Sequence, residues 1–241
     1  MITHAPDVDC RTVSPVYAFL THPSMVDFPD ENAAVFFVSG CNFRCGYCHN
    51  AGLLAARREG LSWSRLRRAC RQFGGDWVRG AVITGGEPTL HEELDDLVAF
   101  LKDEGFRVKL DTNGSRPEVL ARLLPHLDYV AMDIKAPLED YPEFTGFSDT
   151  ERIAESVERL RDHDGDYEFR TTVIEGIHTD ERMCAIGELI RGARRQVLQP
   201  FLPRADLPDG RCRTRPRTSH TRLLEVARLL EGTARQIVVR G

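Results

Sequence analysis

The chain has 241 residues, 41% of them hydrophobic and 29% charged, with a net charge of -5 at neutral pH. That is the make-up of an ordinary globular domain with enough apolar side chains for a sizeable core, and it excludes a chain disordered throughout. The acidic balance argues against broad, non-specific attraction to nucleic acid or to an anionic membrane.

No run of ~20 apolar residues is present, and the N-terminus lacks a basic region followed by an apolar one. The expectation is a cytoplasmic protein with no membrane partner. Its seven cysteines then read as reduced thiols rather than disulfides. A loose N-terminal arm over residues 1–24 and one domain over 25–241 are the expected organisation.

In chain order, Ala33 to Ser39 is a Val- and Phe-rich run ended by Gly40, which predicts a buried strand. An amphipathic helix follows from about Ser62 to Phe73, stopped by Gly74-Gly75, with Cys70 on the apolar face beside Trp63, Leu66 and Phe73. The second strand is Gly80 to Thr84, and the next helix opens at Thr89, which has capping-box spacing to Glu92. Further strands are read at Phe106–Asp111, Tyr129–Asp133, Phe169–Ile174 and Arg195–Leu198, with apolar helical stripes between them. A helix through Leu223, Ala227 and Leu230 and a closing strand at Ile237–Val239 complete the pattern. Repeated βα units with buried strands predict an α/β fold with a parallel sheet, and six units suit a partial (β/α)6 barrel of the TIM type.

Polar motifs fall where these strands finish, which is where such barrels carry their chemistry. Cys41, Cys45 and Cys48 follow the first strand with C-x3-C-x2-C spacing. Three thiolates can hold three irons of a [4Fe–4S] cube, and a fully protein-held cluster wants four cysteines, so one iron is left open. The competing reading is zinc with His49 or Cys10 as fourth ligand, but the chain has no second C-x2-C knuckle and no His-x3-His pair. Gly85-Gly86-Glu87-Pro88 follows the second strand, Asp111-Thr112-Asn113-Gly114 the third, and Asp133-Ile134-Lys135 the fourth. Arg170 and Gln199 share a face if strand alternation holds. His178 sits before a helix for which Thr179 is a natural N-cap, and is read as structural. The run Arg211 to Arg217 reads as a solvated loop rather than an anion-binding patch.

The cysteine run with the glycine-glycine-glutamate motif one βα unit later resembles the radical S-adenosylmethionine (SAM) superfamily. The resemblance implies that the open iron is chelated by the methionine moiety of SAM and that reductive cleavage releases a 5′-deoxyadenosyl radical. It further implies that Gly85, Gly86 and Glu87 meet the cofactor's amino group, that Tyr47 stacks on the adenine, and that Lys135 meets the carboxylate. Ile134 belongs to the same contact set; His49 after the third cysteine is characteristic of the activases, with a satisfied surface histidine as the alternative, and Arg170 and Gln199 are candidates for the ribose or carboxylate, with structural pairing as the alternative. In the glycyl-radical-enzyme activases, the residues matching Asp111, Thr112 and Asp133 help hold a monovalent cation; a plain Asp133–Lys135 salt bridge is the alternative.

Segments from Met25 to Pro203 are similar to the family of anaerobic ribonucleoside-triphosphate reductase activating proteins. One departure is Phe28-Pro29 followed by Asp30-Glu31-Asn32 where the family continues with glycine; the acidic residues are expected to reshape the mouth of the site. The implied partners are a glycyl-radical enzyme and an electron donor such as flavodoxin or ferredoxin. The alternatives are a small-molecule enzyme similar to 7-carboxy-7-deazaguanine synthases, and a non-catalytic iron–sulfur or zinc protein. Replacing Cys45 by Ala is expected to abolish both iron content and SAM cleavage, checked by iron analysis and by chromatography for 5′-deoxyadenosine.

Overall fold

The computed structural model describes residues 13–55, 58–73 and 77–241. The first twelve residues of the N-terminal arm, Cys10 among them, and the helix stop at Gly74-Gly75 lie outside the described residues.

Strands β1 (Val16–Phe19) and β2 (Ser24–Phe28) both pair antiparallel with β3 (Glu31–Val38). β2 reaches β3 through a two-residue turn in which Pro29 precedes Asp30, and Asp30 has φ 63°. Proline fixes the second turn position, and the third needs positive φ, usually from glycine. Asp30 adopts the backbone that glycine would, as Asp and Asn do more readily than other L-residues. The hairpin therefore forms without the glycine of the family pattern. Glu31 accepts from Arg107 Nη1 at 2.8 Å.

Helix α1 (Trp63–Phe73) buries Trp63, Leu66, Cys70 and Phe73, as their spacing predicts. Burial pushes the Cys70 thiol up to about 12, which leaves it inert. Strand β4 (Gly80–Gly85) runs parallel to β3, in register from Ala33 opposite Gly80 to Val38 opposite Gly85. The following helix does not begin at Thr89. A 3-10 turn over Pro88–Leu90 comes first, and α2 (Leu94–Asp103) starts five residues later than expected. The reason is local: Glu87, not Glu92, bonds Thr89, accepting from its backbone N–H at 3.0 Å and its hydroxyl at 2.6 Å.

Strand β5 (Arg107–Thr112) lies parallel to β4. After it come α3 (Pro117–Leu123), β6 (Tyr129–Asp133), α4 (Tyr141–Thr145), α5 (Thr150–Arg161) and β7 (Tyr167–Val173). Helix α6 (Asp180–Leu189) has the expected N-cap, Thr179, whose hydroxyl accepts from Arg182 N–H at 3.4 Å. β8 (Ala193–Pro200), α7 (Gly210–Arg213), α8 (His220–Leu229) and β9 (Ala234–Val239) follow, with β7, β8 and β9 mutually parallel. The fold is α/β with a mostly parallel sheet, as the buried strand pattern requires.

The chain divides into two compact units. The first runs to Cys41 and adds Gly52–Thr112 and Arg122–Val130; the second holds Asn42–Ala51, Asn113–Ala121 and Ala131–Gly241. Phe36, Leu66, Ile83, Leu97 and Leu101 are fully buried in the first, and Phe43, Tyr141, Phe169 and Phe201 in the second. Each such side chain contributes about 1.5–3 kcal/mol through the area it removes from water. Among the described residues no helix is long and apolar enough to cross a membrane. Asp30→Val is expected to lower stability by about 1–2 kcal/mol because a β-branched residue resists positive φ, while Asp30→Gly should lose none; urea unfolding distinguishes the two.

Candidate functional site

In the second unit three charged candidate side chains meet where β6 ends. Lys135 Nζ donates to Asp133 Oδ2 at 2.9 Å, and Arg170 Nε on β7 donates to Asp133 Oδ1 at 2.8 Å. Burial disfavours a charge on Asp133, yet Arg170 and Lys135 outweigh it and hold the carboxyl well below the usual range. Burial likewise opposes the charge on Lys135, and Asp133 outweighs it, keeping the ammonium protonated. Ile134, wholly buried, ties the strand ends together through its N–H to the Arg170 carbonyl at 2.8 Å.

Neutral groups fix the Lys135 backbone. Its N–H donates to the Tyr141 hydroxyl at 3.2 Å, and its carbonyl accepts from His178 Nε2 at 3.1 Å. His178 Nδ1 accepts from the Ile174 N–H at 3.0 Å, so the ring is the neutral tautomer with hydrogen on Nε2. Only 1% of His178 is exposed, and burial, its largest influence, lowers its pKa. The structural reading of His178 holds, with an addition: it positions Lys135. Sequence gave no signal for Tyr141.

The cysteine loop is anchored residue by residue within the same unit. Asn42 Nδ2 donates to Ser115 Oγ at 2.8 Å, and Asn113 Nδ2 donates to Asn42 Oδ1 at 2.9 Å. Phe43 packs edge-on against Tyr141 and lies 5.1 Å from the Phe147 ring centre. The Arg44 N–H donates to the Thr145 carbonyl at 2.6 Å, and the Asp209 N–H to the Gly46 carbonyl at 3.0 Å. A Cβ on Gly46 would stand 2.8 Å from Asp209 Cβ. His49 Nε2 donates to the Leu202 carbonyl at 3.0 Å. The segment after β8 thus clamps the loop, a role that sequence reading missed.

Burial pushes the Cys45 thiol up to about 11, against the pull of the Lys135 charge, and raises Cys48 as well. Tyr47 is buried, and that burial raises its pKa well above the ordinary value while Lys135 opposes it. Among the described residues no three His, Cys, Asp or Glu side chains are already drawn together to hold a metal. The fit to a cluster lies instead in donor chemistry: Cys41, Cys45 and Cys48 form no disulfide, and their thiols are soft ligands suited to iron–sulfur centres that lose their protons on binding metal.

In the first unit, Gly85 and Gly86 serve the backbone. A Cβ on Gly85, whose φ is 122°, would lie 2.3 Å from the Val38 carbonyl oxygen, and one on Gly86 would lie 2.0 Å from that of Gly40. Gly86 N–H donates to Val38 O and Glu87 N–H to Gly40 O, each at 2.9 Å. These glycines let β4 press against the end of the strand that delivers Cys41, so their tight approach is to the chain itself. Glu87, 1% exposed, accepts on Oε1 from Thr89 and from Thr112 Oγ1 at 2.8 Å. Asp111 accepts from Thr84 Oγ1 at 3.2 Å on one oxygen and from Lys109 Nζ on the other. Lys109 was missed; its only signal is the alternation Val108-Lys109-Leu110-Asp111, which puts both charges on one face.

Gln199 lies opposite Thr172 and Arg170 opposite Val197, so alternation places Arg170 and Gln199 on one face as expected. The basic run is partly helical over Gly210–Arg213 and internally tied: Arg211 pairs with Asp209, and Arg213 Nε donates to the Leu207 carbonyl at 2.7 Å.

Residues 35–190 match the model of the Radical SAM superfamily. The chain is 28% identical over 225 residues to a Methanocaldococcus jannaschii protein provisionally named a glycyl-radical enzyme activating enzyme, covering 90% of this chain and 92% of that one. It is 33% identical over 132 residues to the pyruvate formate-lyase-activating enzyme of Clostridium pasteurianum, 51% of this chain and 53% of that one. A match to a protein of Thermococcus kodakarensis provisionally named a GTP 3′,8-cyclase is 28% over 156 residues, with 64% of this chain covered but about half (51%) of that one. A solved structure of TYW1 with a lysine-pyruvate adduct bound shares the fold, with TM-score 0.61 and 17% identity over 84% of this chain and 74% of that one.

Because the folded-state pKa of His178 is depressed, the unfolded chain takes up a proton at about pH 6.5 that the folded ring refuses. Stability is therefore complete above about pH 6.5 and falls as pH drops below it, by up to about 1.4 kcal/mol per pH unit. His178→Gln should flatten that dependence in urea-unfolding curves; an unchanged slope would remove His178 as its source.

Proposed function

The chain belongs to the radical SAM superfamily, and from that premise we propose that it generates a glycyl radical on a partner enzyme. The cofactors of this superfamily are a [4Fe–4S] cluster and SAM, which together supply a 5′-deoxyadenosyl radical when bound. Cys41, Cys45 and Cys48 are the proposed cluster ligands. The observation that carries the cofactor site is the Lys135 ammonium, held on Asp133 beside Arg170, in whose field Cys45 and Tyr47 lie. An anionic carboxylate suits it, and the Lys135 backbone bonds to Tyr141 and from His178 hold the residue in place before any ligand arrives.

The remaining contacts follow the motif positions. Gly85, Gly86 and Glu87 receive the cofactor's amino end, Tyr47 and His49 the adenine side, and Asp111, Ile134 and Gln199 complete the set. The glycyl-radical reading is supported by similarity along nearly the whole chain to a relative provisionally named for that activity. The partner is an anaerobic ribonucleotide reductase-like enzyme, with flavodoxin or ferredoxin as electron donor in a reducing cytoplasm. Abstraction needs the radical carbon held close to one α-hydrogen, so the partner presents its glycine on a flexible loop.

A second reading, radical chemistry on a small molecule, is favoured by the partial match to the cyclase relative. The experiment is anaerobic turnover of the reconstituted, reduced protein with SAM and a candidate glycyl-radical enzyme made with α-deuterated glycine. Deuterium in 5′-deoxyadenosine and a glycyl signal by electron paramagnetic resonance are expected. Deoxyadenosine without deuterium across the tested glycyl-radical enzymes would shift the reading to the small molecule, and none at all would sink both.

A further inference from the structure

Lys109 is 0% exposed in the middle of β5. Its Nζ donates to Asp111 Oδ1, and Thr84 Oγ1 donates to Oδ2 of the same carboxylate at 3.2 Å. A buried ammonium is expensive: even after relaxation, taking each ion out of water costs several kcal/mol, and apolar side chains of similar volume often replace such pairs with a gain in stability. Leucine or methionine would fill the same space without that penalty. Packing alone gives no reason for a lysine here, whereas a requirement for positive charge at the Asp111 carboxylate does.

The similarity to activases predicts a monovalent cation held by Asp111, Thr112 and Asp133. The structure disagrees with that prediction in each unit separately. In the first, Asp111 is engaged by Lys109, and the Thr112 hydroxyl donates to Glu87. In the second, both oxygens of Asp133 are engaged, one by Lys135 and one by Arg170. We infer that the Lys109 ammonium is a built-in substitute for the monovalent cation, a fixed counter-charge that lets the enzyme bind SAM without sodium or potassium. An ammonium is close to potassium in size and is a compact point charge with three donors, so it can satisfy oxygen ligands arranged for such an ion. Lys109 acts through Asp111 and is a positioning residue.

The inference rests on the cofactor reading of this site, and the test separates the two. SAM affinity of the reconstituted holoenzyme is measured from the change in the reduced cluster's paramagnetic resonance spectrum, at matched ionic strength, in sodium, potassium and tetramethylammonium chloride; the last cation is too large for a lysine-sized site. Thermal unfolding of the same holoenzyme is followed in the same salts. The wild type should show the same affinity in all three, within about twofold. Lys109→Met should prefer sodium or potassium over tetramethylammonium by about tenfold or more, the scale expected when one partner of a buried charge pair is removed, and its unfolding temperature should rise with the small cations. Lys109→Met combined with Asp111→Asn should lose that preference.

A saturable requirement for sodium or potassium in the wild type would overturn the inference, and this measurement needs no variant to fold. Thallium resonance gives an independent check: a bound thallous ion in the wild-type protein, displaced by potassium, would also overturn it. Failure to bind SAM in every salt would overturn the cofactor reading beneath it, and is recognised by its indifference to the cation.

Discussion

Asp133 divides its two carboxylate oxygens between cations from two different positions, Lys135 just beyond its own strand and Arg170 on the next. Burial makes each charge costly alone, so the three are stable only as a set. Two consequences follow from that one arrangement. The ends of β6 and β7 are locked together, reinforced by the backbone bond from Ile134 to Arg170. The Lys135 ammonium is also kept charged where Cys45 and Tyr47 feel it, which an apolar pairing at these positions would not provide. The geometry is set by neutral neighbours: Tyr141 and His178 hold the Lys135 backbone, so the ammonium does not depend on a ligand to find its place.

The cysteine loop has little regular structure, and the entropy of ordering such a segment must be offset by contacts along its length. Those contacts come at Asn42, Phe43, Arg44, Gly46 and His49, from α4, from the Asn113–Ser115 turn and from the segment after β8. Tyr141 joins the two problems, packing on Phe43 with its ring and accepting the Lys135 N–H with its hydroxyl. Groups that orient ligands from behind are generally as important to a metal centre as the ligands themselves. In this chain most of them are polar and aromatic residues outside the motifs, Asn113 excepted.

This division explains what the sequence made legible. Buried strands announce themselves as short apolar runs, so β3 through β8 were readable to within about two residues, and the motifs at their ends were readable because they interrupt that pattern. The start of α2 was not, because Thr89 had two acidic candidates and the choice of Glu87 depends on the turn made by Pro88. The conformation of Asp30 was not readable, because residue type alone does not reveal that it holds a glycine-like backbone. The packing role of Gly85 and Gly86 was hidden for a related cause: sequence shows that something must approach closely, but not that the Val38 and Gly40 carbonyls do so. Long-range partners such as Leu202, Asp209 and Tyr141 leave no local signature.

Lys109 belongs with these unseen features, yet it bears most directly on how the site works. A lysine in a strand interior contradicts the binary pattern of its element, and such local violations persist where function demands them. The same holds for Glu87, buried among hydroxyls and an N–H, and for the Asp133 set. Each is a charged group that an apolar substitute could replace with no loss of packing volume, and each is satisfied by donors of its own unit. A site built this way is rigid before a ligand binds, because every charge already has its partner and none must reorganise to admit the cofactor. The stability given up to bury these charges is therefore recovered as preorganisation of the groups that remain charged.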